Sequence, residues 1–287
     1  MTSNLRGISC AIIAGLFLTG NDAVSKWLVP VYPPGQILFV SSLGLAVVIW
    51  IFSQRKVSSR IVVNSWRTHI SRGVLFAVSA FAFITSLEYL PLADTMCIAF
   101  AAPILVTFLG RFVLKEYVGI YRLSAVLLGF IGVIVMIQPA SDSFRWILLL
   151  PLVVAIADAC RDVLTRKMTQ SESSLSMVFT TSLTIAAIAL PTYFLGWSII
   201  SLGNLWIFIL KIGLMLFAYF LLIEAYRFAP TVVISPFRYI QLVWGILLGF
   251  IIWQEIPELH VFIGVFITVG SGLFIALREA KLTSERV

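Results

Sequence analysis

An arginine lies inside a stretch of the chain that is otherwise apolar enough to cross a lipid bilayer. The stretch covers residues 235–255, and the arginine is Arg238. A spanning helix that begins near Thr231 places Arg238 about 10 Å into the hydrocarbon, because each residue adds about 1.5 Å. An isolated charge there costs on the order of 3 kcal/mol, so this side chain is expected to face protein, water or a ligand. A guanidinium pairs in bidentate fashion with a carboxylate, which predicts either a carboxylate-bearing substrate or an internal ion pair with Asp158 or Glu224.

Aromatic and amide side chains surround this arginine in the sequence. Phe237, Tyr239 and Trp244 are able to stack on a ring or a cation, and Gln241 adds a polar side chain. Phe100 stands near the position that corresponds to the arginine in the first half of the chain. Ordinary packing is the alternative for each aromatic residue, because the chain is 13% aromatic. The group is predicted to bind substrate.

Polar residues in two other spans are candidates to hold a proton or a substrate amine. Asn21 and Asp22 lie in the first span, and Lys26 follows Asp22 by four positions, so the two charges share one helix face. Lys26 is also a candidate for gating or coupling. Asp158 lies one helical turn deeper in its span than Asp162. The alternative for these charges is an ion pair near a helix end whose long side chain reaches the membrane interface.

A further set of polar and aromatic residues stands near predicted helix ends, where such residues can line the mouths of a cavity and act as gates. They are Glu88, Tyr89, Asp94, Glu224 and Tyr226. The alternative is that the tyrosines anchor their helices at the membrane interface and that Asp94 caps a helix. Tyr219 lies deeper in its span and is predicted to face the cavity.

The composition places these residues in a membrane protein. Of the 287 residues, 60% are hydrophobic and only 11% are charged, whereas a soluble domain carries about 25% charged residues. The net charge of +7 fits cationic cytoplasmic loops better than a nucleic-acid surface, so no nucleic-acid partner is predicted. The chain has 2 histidines and lacks the P-loop, HExxH and GxSxG motifs. The sequence therefore predicts a protein that is not an enzyme and that has no cofactor and no metal site.

Apolar runs that are long enough to span a bilayer recur about ten times along the chain. They lie near residues 7–29, 36–53, 72–90, 92–114, 119–138, 146–165, 175–197, 205–226, 231–253 and 259–277. The sequence therefore predicts an all-α integral membrane protein with ten transmembrane helices. The cations between the spans, with Arg67 and Arg72 assigned to the loop after the second span, predict cytoplasmic termini. Pro103 and Pro236 are predicted to kink or break their helices.

The two halves of the chain repeat each other at an offset of about 140 residues. Residues 20–26 match residues 160–166, and in each segment an acid is followed four positions later by a base. Five spans per half is an odd number, so the second half must enter the membrane from the other side. This inverted repeat is the architecture of many secondary transporters. The predicted units are residues 7–138 and 146–278.

The stretch around Arg238 resembles the penultimate helix of the EamA family in the drug/metabolite transporter superfamily. In that family a Pro-Phe-x-Tyr-x-Gln-Leu-Val-Trp run closes on a Glu followed by Pro, and this chain has the run at residues 236–244, then Glu255 and Pro257. The first half carries the family pattern at Tyr89, Pro103, Glu116, Gly129 and Gly132. The resemblance covers nearly the whole chain and implies a central cavity between two repeats and alternating access. Within the family, the run looks most similar to carriers for S-adenosylmethionine uptake.

The resemblance and the buried charges predict a secondary transporter of the bacterial inner membrane that moves a small polar metabolite through the lipid bilayer. An arginine with acids nearby predicts a zwitterion, with Arg238 on the carboxylate and with Asp22, Asp158 or Glu88 on the amine or a proton. Proton coupling or exchange with a counter-substrate is the expected energy source. The alternatives are an exporter of other metabolites or drugs and, from a different class, a membrane scaffold or receptor that transports nothing.

Overall fold

The computed structural model describes most of the chain, and its regular structure is helical. The described residues are 3–55, 61–102, 104–106, 109, 120–138, 145–169, 171–229, 234, 237 and 240–284. Within these residues no β-strand occurs. The predicted all-α class is therefore confirmed for the described part of the chain.

Ten α-helices follow one another within the described residues. The first half contains α1 (Ser3–Leu28), α2 (Pro34–Arg55), α3 (Trp66–Tyr89), α4 (Leu92–Ala99) and α5 (Ile120–Ile137). The second half contains α6 (Leu149–Met168), α7 (Ser174–Ala189), α8 (Leu202–Phe228), α9 (Ile240–Trp253) and α10 (Leu259–Ser284). Short 3-10 helices precede α6 at Trp146–Leu148 and follow α7 at Leu190–Leu195.

Five of the described helices are long and apolar enough to cross a membrane, namely α1, α2, α3, α7 with its 3-10 extension, and α8. The α6 helix has 20 residues but carries Asp158, Arg161 and Asp162 in its middle. Charges in a membrane protein need protein partners rather than lipid, so the face of α6 that carries them must point into the protein, while Ile156 on the same helix is 49% exposed. Ten spans, the inverted orientation of the halves and cytoplasmic termini remain predictions.

Each half of the molecule packs against the other half more than on itself. The α1 helix packs along α8 and α3 packs along α6, so both contacts join a first helix to the third helix of the other half. In addition, α2 packs on α7, α4 on α9 and α5 on α10. Exchanging the halves leaves this pattern unchanged, which is the arrangement expected of two repeats related by a pseudo-two-fold axis.

Hydrogen bonds in the segments between the helices also join the two halves. The Gln36 amide donates to the Ser198 carbonyl at 2.6 Å and accepts from the Ser198 N–H at 2.9 Å. Just before α3, the Glu172 carboxylate accepts from the Asn64 N–H at 3.0 Å and lies 3.2 Å from Nε2 of His69. In each place a side chain of one half satisfies the backbone of the other, so the halves are joined outside the helix contacts as well.

The α4 helix is interrupted in front of a proline. It ends at Ala99, and Phe100 and Ala101 form a turn before helical geometry resumes at Ala102. Pro103 lies outside the described residues, but any proline lacks the N–H that the carbonyl four positions earlier would accept, which is the carbonyl of Ala99. The end of α4 at this residue agrees with the predicted break, and Phe100 is buried beside the cavity described below.

Glycine allows α5 and α10 to touch through their backbones. A Cβ at Gly264 would lie 2.6 Å from the Gly132 carbonyl oxygen and 3.2 Å from the backbone nitrogen of Met136. Gly264→Ala is therefore expected to destabilise the protein by about 1–3 kcal/mol, because the helices must move apart. The thermal midpoint of the purified protein measures this loss.

Gly270→Ala in the same helix is the matched control. A Cβ at Gly270 meets no atom within 4 Å, and alanine favours helix, so its thermal midpoint is expected to stay or rise slightly. Equal losses at both positions would contradict a tight contact between α5 and α10.

Candidate functional site

A cavity with a charged lining lies between the two halves of the molecule. It measures about 140 Å³, and helices of both halves contribute to it. Its charged lining residues are three acids and three bases, namely Asp22, Arg72, Asp158, Arg161, Asp162 and Lys211. The formal charges of this described lining therefore cancel.

The cavity wall formed by α1 and α8 centres on a buried lysine. Lys211 is 2% exposed, and its ammonium donates to Asn21 Oδ1 at 2.8 Å, to Ser25 Oγ at 2.5 Å and, more weakly, to the Asn21 carbonyl at 3.5 Å. The Asn21 amide in turn donates to Asp22 Oδ1 at 3.2 Å. One amide thus stands between the ammonium and the carboxylate, and the three N–H groups of Lys211 are all used.

A second wall, formed by α3, α6 and α7, centres on a buried arginine. Arg72 is 6% exposed, and its Nε donates to Thr165 Oγ1 at 2.8 Å. Its Nη1 donates to Thr181 Oγ1 and, at 3.3 Å, to the Met177 carbonyl. These bonds fix the plane of the guanidinium between α6 and α7.

Beside it, Arg161 holds two carboxylates of its own helix. Its Nη1 lies 2.7 Å from Asp158 Oδ1, and its Nη2 lies 3.0 Å from Asp162 Oδ1. Ser79 on α3 donates a hydrogen bond of 2.6 Å to Asp158, and the guanidinium lies 4.6 Å from the ring centroid of Phe76. Asp158, predicted to hold a proton or an amine, is therefore already paired with a base.

The two walls repeat each other residue for residue. The equivalent pairs, separated by 139 or 140 positions, are Asn21 with Arg161, Asp22 with Asp162, Ser25 with Thr165 and Arg72 with Lys211. In both walls the hydroxyl donates to the carbonyl four positions earlier, at 2.9 Å for Ser25 and 2.8 Å for Thr165. In both walls it also accepts a bond from the base on the third helix of the other half. The repeat in the sequence thus reappears as a hydrogen-bond motif.

One difference between the walls decides their charge pairing. Where α6 has Arg161, α1 has the neutral Asn21. Asp162 is therefore bonded to a guanidinium, whereas Asp22 receives an amide hydrogen bond and has no ion-pair partner among the described residues. A carboxylate in this position attracts a cation, because an uncompensated charge inside a membrane protein is unfavourable.

Several residues predicted from the sequence meet in the cavity lining. They are Asn21, Asp22, Phe100, Asp158, Tyr219, Tyr226 and Gln241. Tyr219 lies edge-on to Phe76, with 5.1 Å between the ring centroids, and the pair forms an aromatic surface. Gln241 is 4% exposed, and its Nε2 has no hydrogen-bond partner among the described residues. Their roles as ligands of a substrate stay predictions.

The predicted gate residues at the end of α3 and the start of α4 lie away from this cavity. Glu88 and Tyr89 are exposed, and the Tyr89 carbonyl accepts a 3.2 Å bond from Arg145. Asp94 lines a separate recess with Arg145 and His260. In the part of the chain that the structure describes, no group of three or more His, Cys, Asp or Glu side chains could hold a metal ion.

Three other predicted residues are also absent from the described cavity lining. Glu224 accepts a 2.6 Å bond from Ser174 Oγ and lies 3.5 Å from Nε of Arg227. Phe237 is 36% exposed. Trp244 has a buried Nε1 with no hydrogen-bond partner among the described residues. Arg238 and Tyr239 lie outside the described residues.

Lys26 pairs with the second half of the chain rather than with Asp22. Its ammonium lies 2.5 Å from Glu255 Oε1 and 5.2 Å from the ring centroid of Trp253. Glu255 Oε2 also accepts from the Leu92 N–H at 3.2 Å. This contact joins the end of α1, the end of α9 and the start of α4.

Of the six charged lining residues, the sequence analysis named only Asp22 and Asp158 as site candidates, and it missed Arg72, Arg161, Asp162 and Lys211. The assignment of Arg72 to a cytoplasmic loop is wrong, because α3 begins at Trp66 and buries the arginine against α6 and α7. Lys211 was not singled out at all. Two signals could have found it, namely a lone cation inside a long apolar run and the repeat offset, which pairs it with Arg72.

Comparison with known proteins gives matches along most of the chain. The model of the EamA-like transporter family matches residues 5–138 and 145–277. An S-adenosylmethionine uptake transporter of Rickettsia prowazekii (strain Madrid E) is 25% identical over 98% of this chain and 96% of its own. The protein of that name in Rickettsia bellii (strain RML369-C) is also 25% identical, over 98% of this chain and 97% of its own.

Two further matches are a transporter that covers less of the chain and a solved structure of lower identity. A riboflavin transporter of Vibrio cholerae serotype O1 is 26% identical over 74% of this chain and 72% of its own. A solved crystal structure superposes with a TM-score of 0.68 over 98% of both chains, at 17% identity. At that identity the likeness shows a shared fold.

Proposed function

Because this chain belongs to the EamA-like transporter family, we propose that it is a secondary active transporter that moves a small zwitterionic metabolite by alternating access. It is a multi-pass protein of the bacterial inner membrane. The similar proteins are named as transporters rather than enzymes. The proposed substrate is an amino acid or a compound that bears an amino-acid group, such as S-adenosylmethionine, driven by a proton or a counter-substrate.

The choice of a zwitterion as substrate rests on the charge balance of the cavity. Three acids and three bases line it, so the described lining is formally neutral. A zwitterion is neutral overall and carries both signs of charge, so it can pair with such a lining without adding a net buried charge. A neutral flavin, the compound in the name of the riboflavin transporters, would leave Asp22 without a cation.

We assign the parts of the substrate to the lining residues as follows. Asp22 binds the cationic group, because it is the lining acid without a base as partner among the described residues. The aromatic pair of Tyr219 and Phe76 packs against a ring or a cation. The buried Nε2 of Gln241, which has no hydrogen-bond partner among the described residues, donates to a polar atom of the substrate. Arg238, predicted from the sequence to bind the carboxylate, lies outside the described residues.

A screen followed by a flux assay tests this function. The thermal midpoint of the purified protein is measured with amino acids, S-adenosylmethionine, nucleosides, vitamins and quaternary amines. A zwitterion is expected to stabilise the protein through binding to the folded state. In liposomes, the protein is then expected to accumulate or exchange the same labelled compound. Stabilisation by neutral vitamins alone would contradict the zwitterion, and binding without flux would favour a receptor.

The ion pair between Lys26 and Glu255 supports a gate at one end of the cavity. An opening at this end must separate α1 from α9 and therefore break the pair. Lys26→Gln is expected to raise the rate at which a membrane-impermeant maleimide, added from the proposed outer side, labels Cys97. That thiol belongs to α4 and is 1% exposed. Cys10→Ala and Cys160→Ala are included in the wild-type and in the Lys26→Gln protein, so that Cys97 is the thiol that the maleimide labels.

Arg227→Gln serves as the control for this experiment. It removes the 3.5 Å pair with Glu224, which lies near the start of α7 rather than at the Lys26 contact. It is expected to leave the labelling rate of Cys97 unchanged. A wild-type rate in the Lys26→Gln protein would remove this ion pair from the gating scheme.

A further inference from the structure

The guanidinium of Arg72 is buried but only partly used. Its Nε and Nη1 are bonded to Thr165, Thr181 and the Met177 carbonyl, and all three acceptors are neutral. Its Nη2 has no hydrogen-bond partner among the described residues and is not one of the fully buried polar atoms. Because Arg72 lines the cavity, one edge of its guanidinium is open to a ligand.

The acids on the neighbouring helix α6 are bound to a different base. Asp162 accepts from Arg161 at 3.0 and 3.3 Å, and Asp158 lies 2.7 Å from the same guanidinium. Among the described residues, Arg72 therefore has no carboxylate as an ion-pair partner. Burying a guanidinium without an anion is unfavourable, and such a charge in a spanning helix marks a substrate path more often than a packing site.

The equivalent base on the other wall shows the contrast. Lys211 is a point charge with three N–H groups, and Asn21 and Ser25 accept from all of them. An arginine has five N–H groups in a planar fork, and Arg72 uses those on two of its three nitrogens. Of the two equivalent bases, Arg72 is thus the one with donors left for a substrate.

From these contacts we propose that Arg72 is an anion-binding residue of the cavity, and that its Nη2 edge binds the carboxylate or another oxyanion of the transported zwitterion. The inference rests on the transport function proposed above and names a specificity residue of the same site. A guanidinium gives charge-assisted hydrogen bonds to oxyanions. Because the hydroxyl groups of Thr165 and Thr181 already hold the fork in place, little ordering is needed when the anion binds.

Paired ligands that differ in one carboxylate test this residue. S-adenosylmethionine is compared with its decarboxylated form, and L-methionine with L-methioninamide, by measuring affinity for the purified full-length protein. The wild type is expected to bind the carboxylate-bearing member about 10-fold more tightly or better, as a charge-assisted bond predicts. Arg72→Gln is expected to bring this ratio close to one.

A matched variant separates binding from packing. Thr181→Val removes one anchor of the guanidinium and keeps its charge, so it is expected to lower the thermal midpoint while the affinity ratio persists. If Arg72→Gln does not fold, Arg72→Lys gives the same test. The single ammonium of a lysine must share its three N–H groups between Thr165, Thr181 and the anion, so the ratio is expected to fall, although less than in Arg72→Gln.

The outcomes distinguish this inference from the function on which it rests. If the wild type binds neither pair nor any other zwitterion, both are overturned. If the wild type prefers the carboxylate and Arg72→Gln keeps that preference, the role of Arg72 is overturned and the transport function stands. Loss of the preference in Arg238→Gln but not in Arg72→Gln would have the same meaning and would place the anion at Arg238.

Discussion

Asp22→Asn is expected to reduce uptake of a zwitterionic substrate at least about 30-fold, since losing one partner of a buried charge pair costs about 2–5 kcal/mol. The amide has nearly the same shape as the carboxylate, and its carbonyl oxygen can still accept the hydrogen bond from the Asn21 amide. What disappears is the negative charge that faces the substrate's cationic group. Initial rates of labelled substrate entry into proteoliposomes measure the effect.

Two variants support the interpretation of that result. Asp22→Glu keeps the charge and is expected to retain part of the uptake. Glu258→Gln removes an acid whose side chain is 80% exposed beside His260, and it is expected to transport at the wild-type rate. If Asp22→Asn transported as well as the wild type, another group would have to hold the cation.

Arg161→Met is expected to destabilise the folded protein by about 3–5 kcal/mol, the usual cost of removing one partner from a buried ion pair. Arg161 bonds Asp158 and Asp162 at once, and its side chain is only 8% exposed. Its removal leaves two carboxylates inside the protein without their shared base. A lower thermal midpoint and poor recovery from the membrane are the expected observations.

The exposed pair between Arg227 and Glu224 gives the comparison. The Arg227 side chain is 40% exposed, so Arg227→Gln should cost less than about 1 kcal/mol. Adding Asp158→Asn and Asp162→Asn to Arg161→Met is expected to recover much of the lost stability, because the uncompensated charges are then gone. Without that recovery, the loss would have to come from packing against Phe76.

The sequence was informative where the chain repeats itself. The match between residues 20–26 and 160–166 placed Asn21 and Asp22 opposite Arg161 and Asp162 before any contact was known, and the structure finds these residues in one cavity. Hydrophobic runs also identified the long helices, because a bilayer demands continuous apolar length.

The sequence did not predict which charged side chains form ion pairs. Spacing along one helix predicted that Asp22 and Lys26 interact, but Lys26 binds Glu255, which is far away in the sequence. A cation close to a helix start also looks like a loop residue, and only the packing of α3 on α6 and α7 shows that Arg72 is interior. Such partners depend on which helices meet, and spacing within a single helix does not contain that information.

The exchange of packing partners between the halves has a consequence for how the chain is made. Asp22 gains the α8 lysine as a neighbour, and Arg72 gains its α6 and α7 hydroxyl groups, only after the second half has been synthesised. During translation, the first half must therefore enter the bilayer while Asp22 and Arg72 still lack these neighbours from the second half. A first half produced alone is expected to be recognised as misassembled and degraded, whereas both halves co-expressed as separate polypeptides are expected to protect each other from proteolysis.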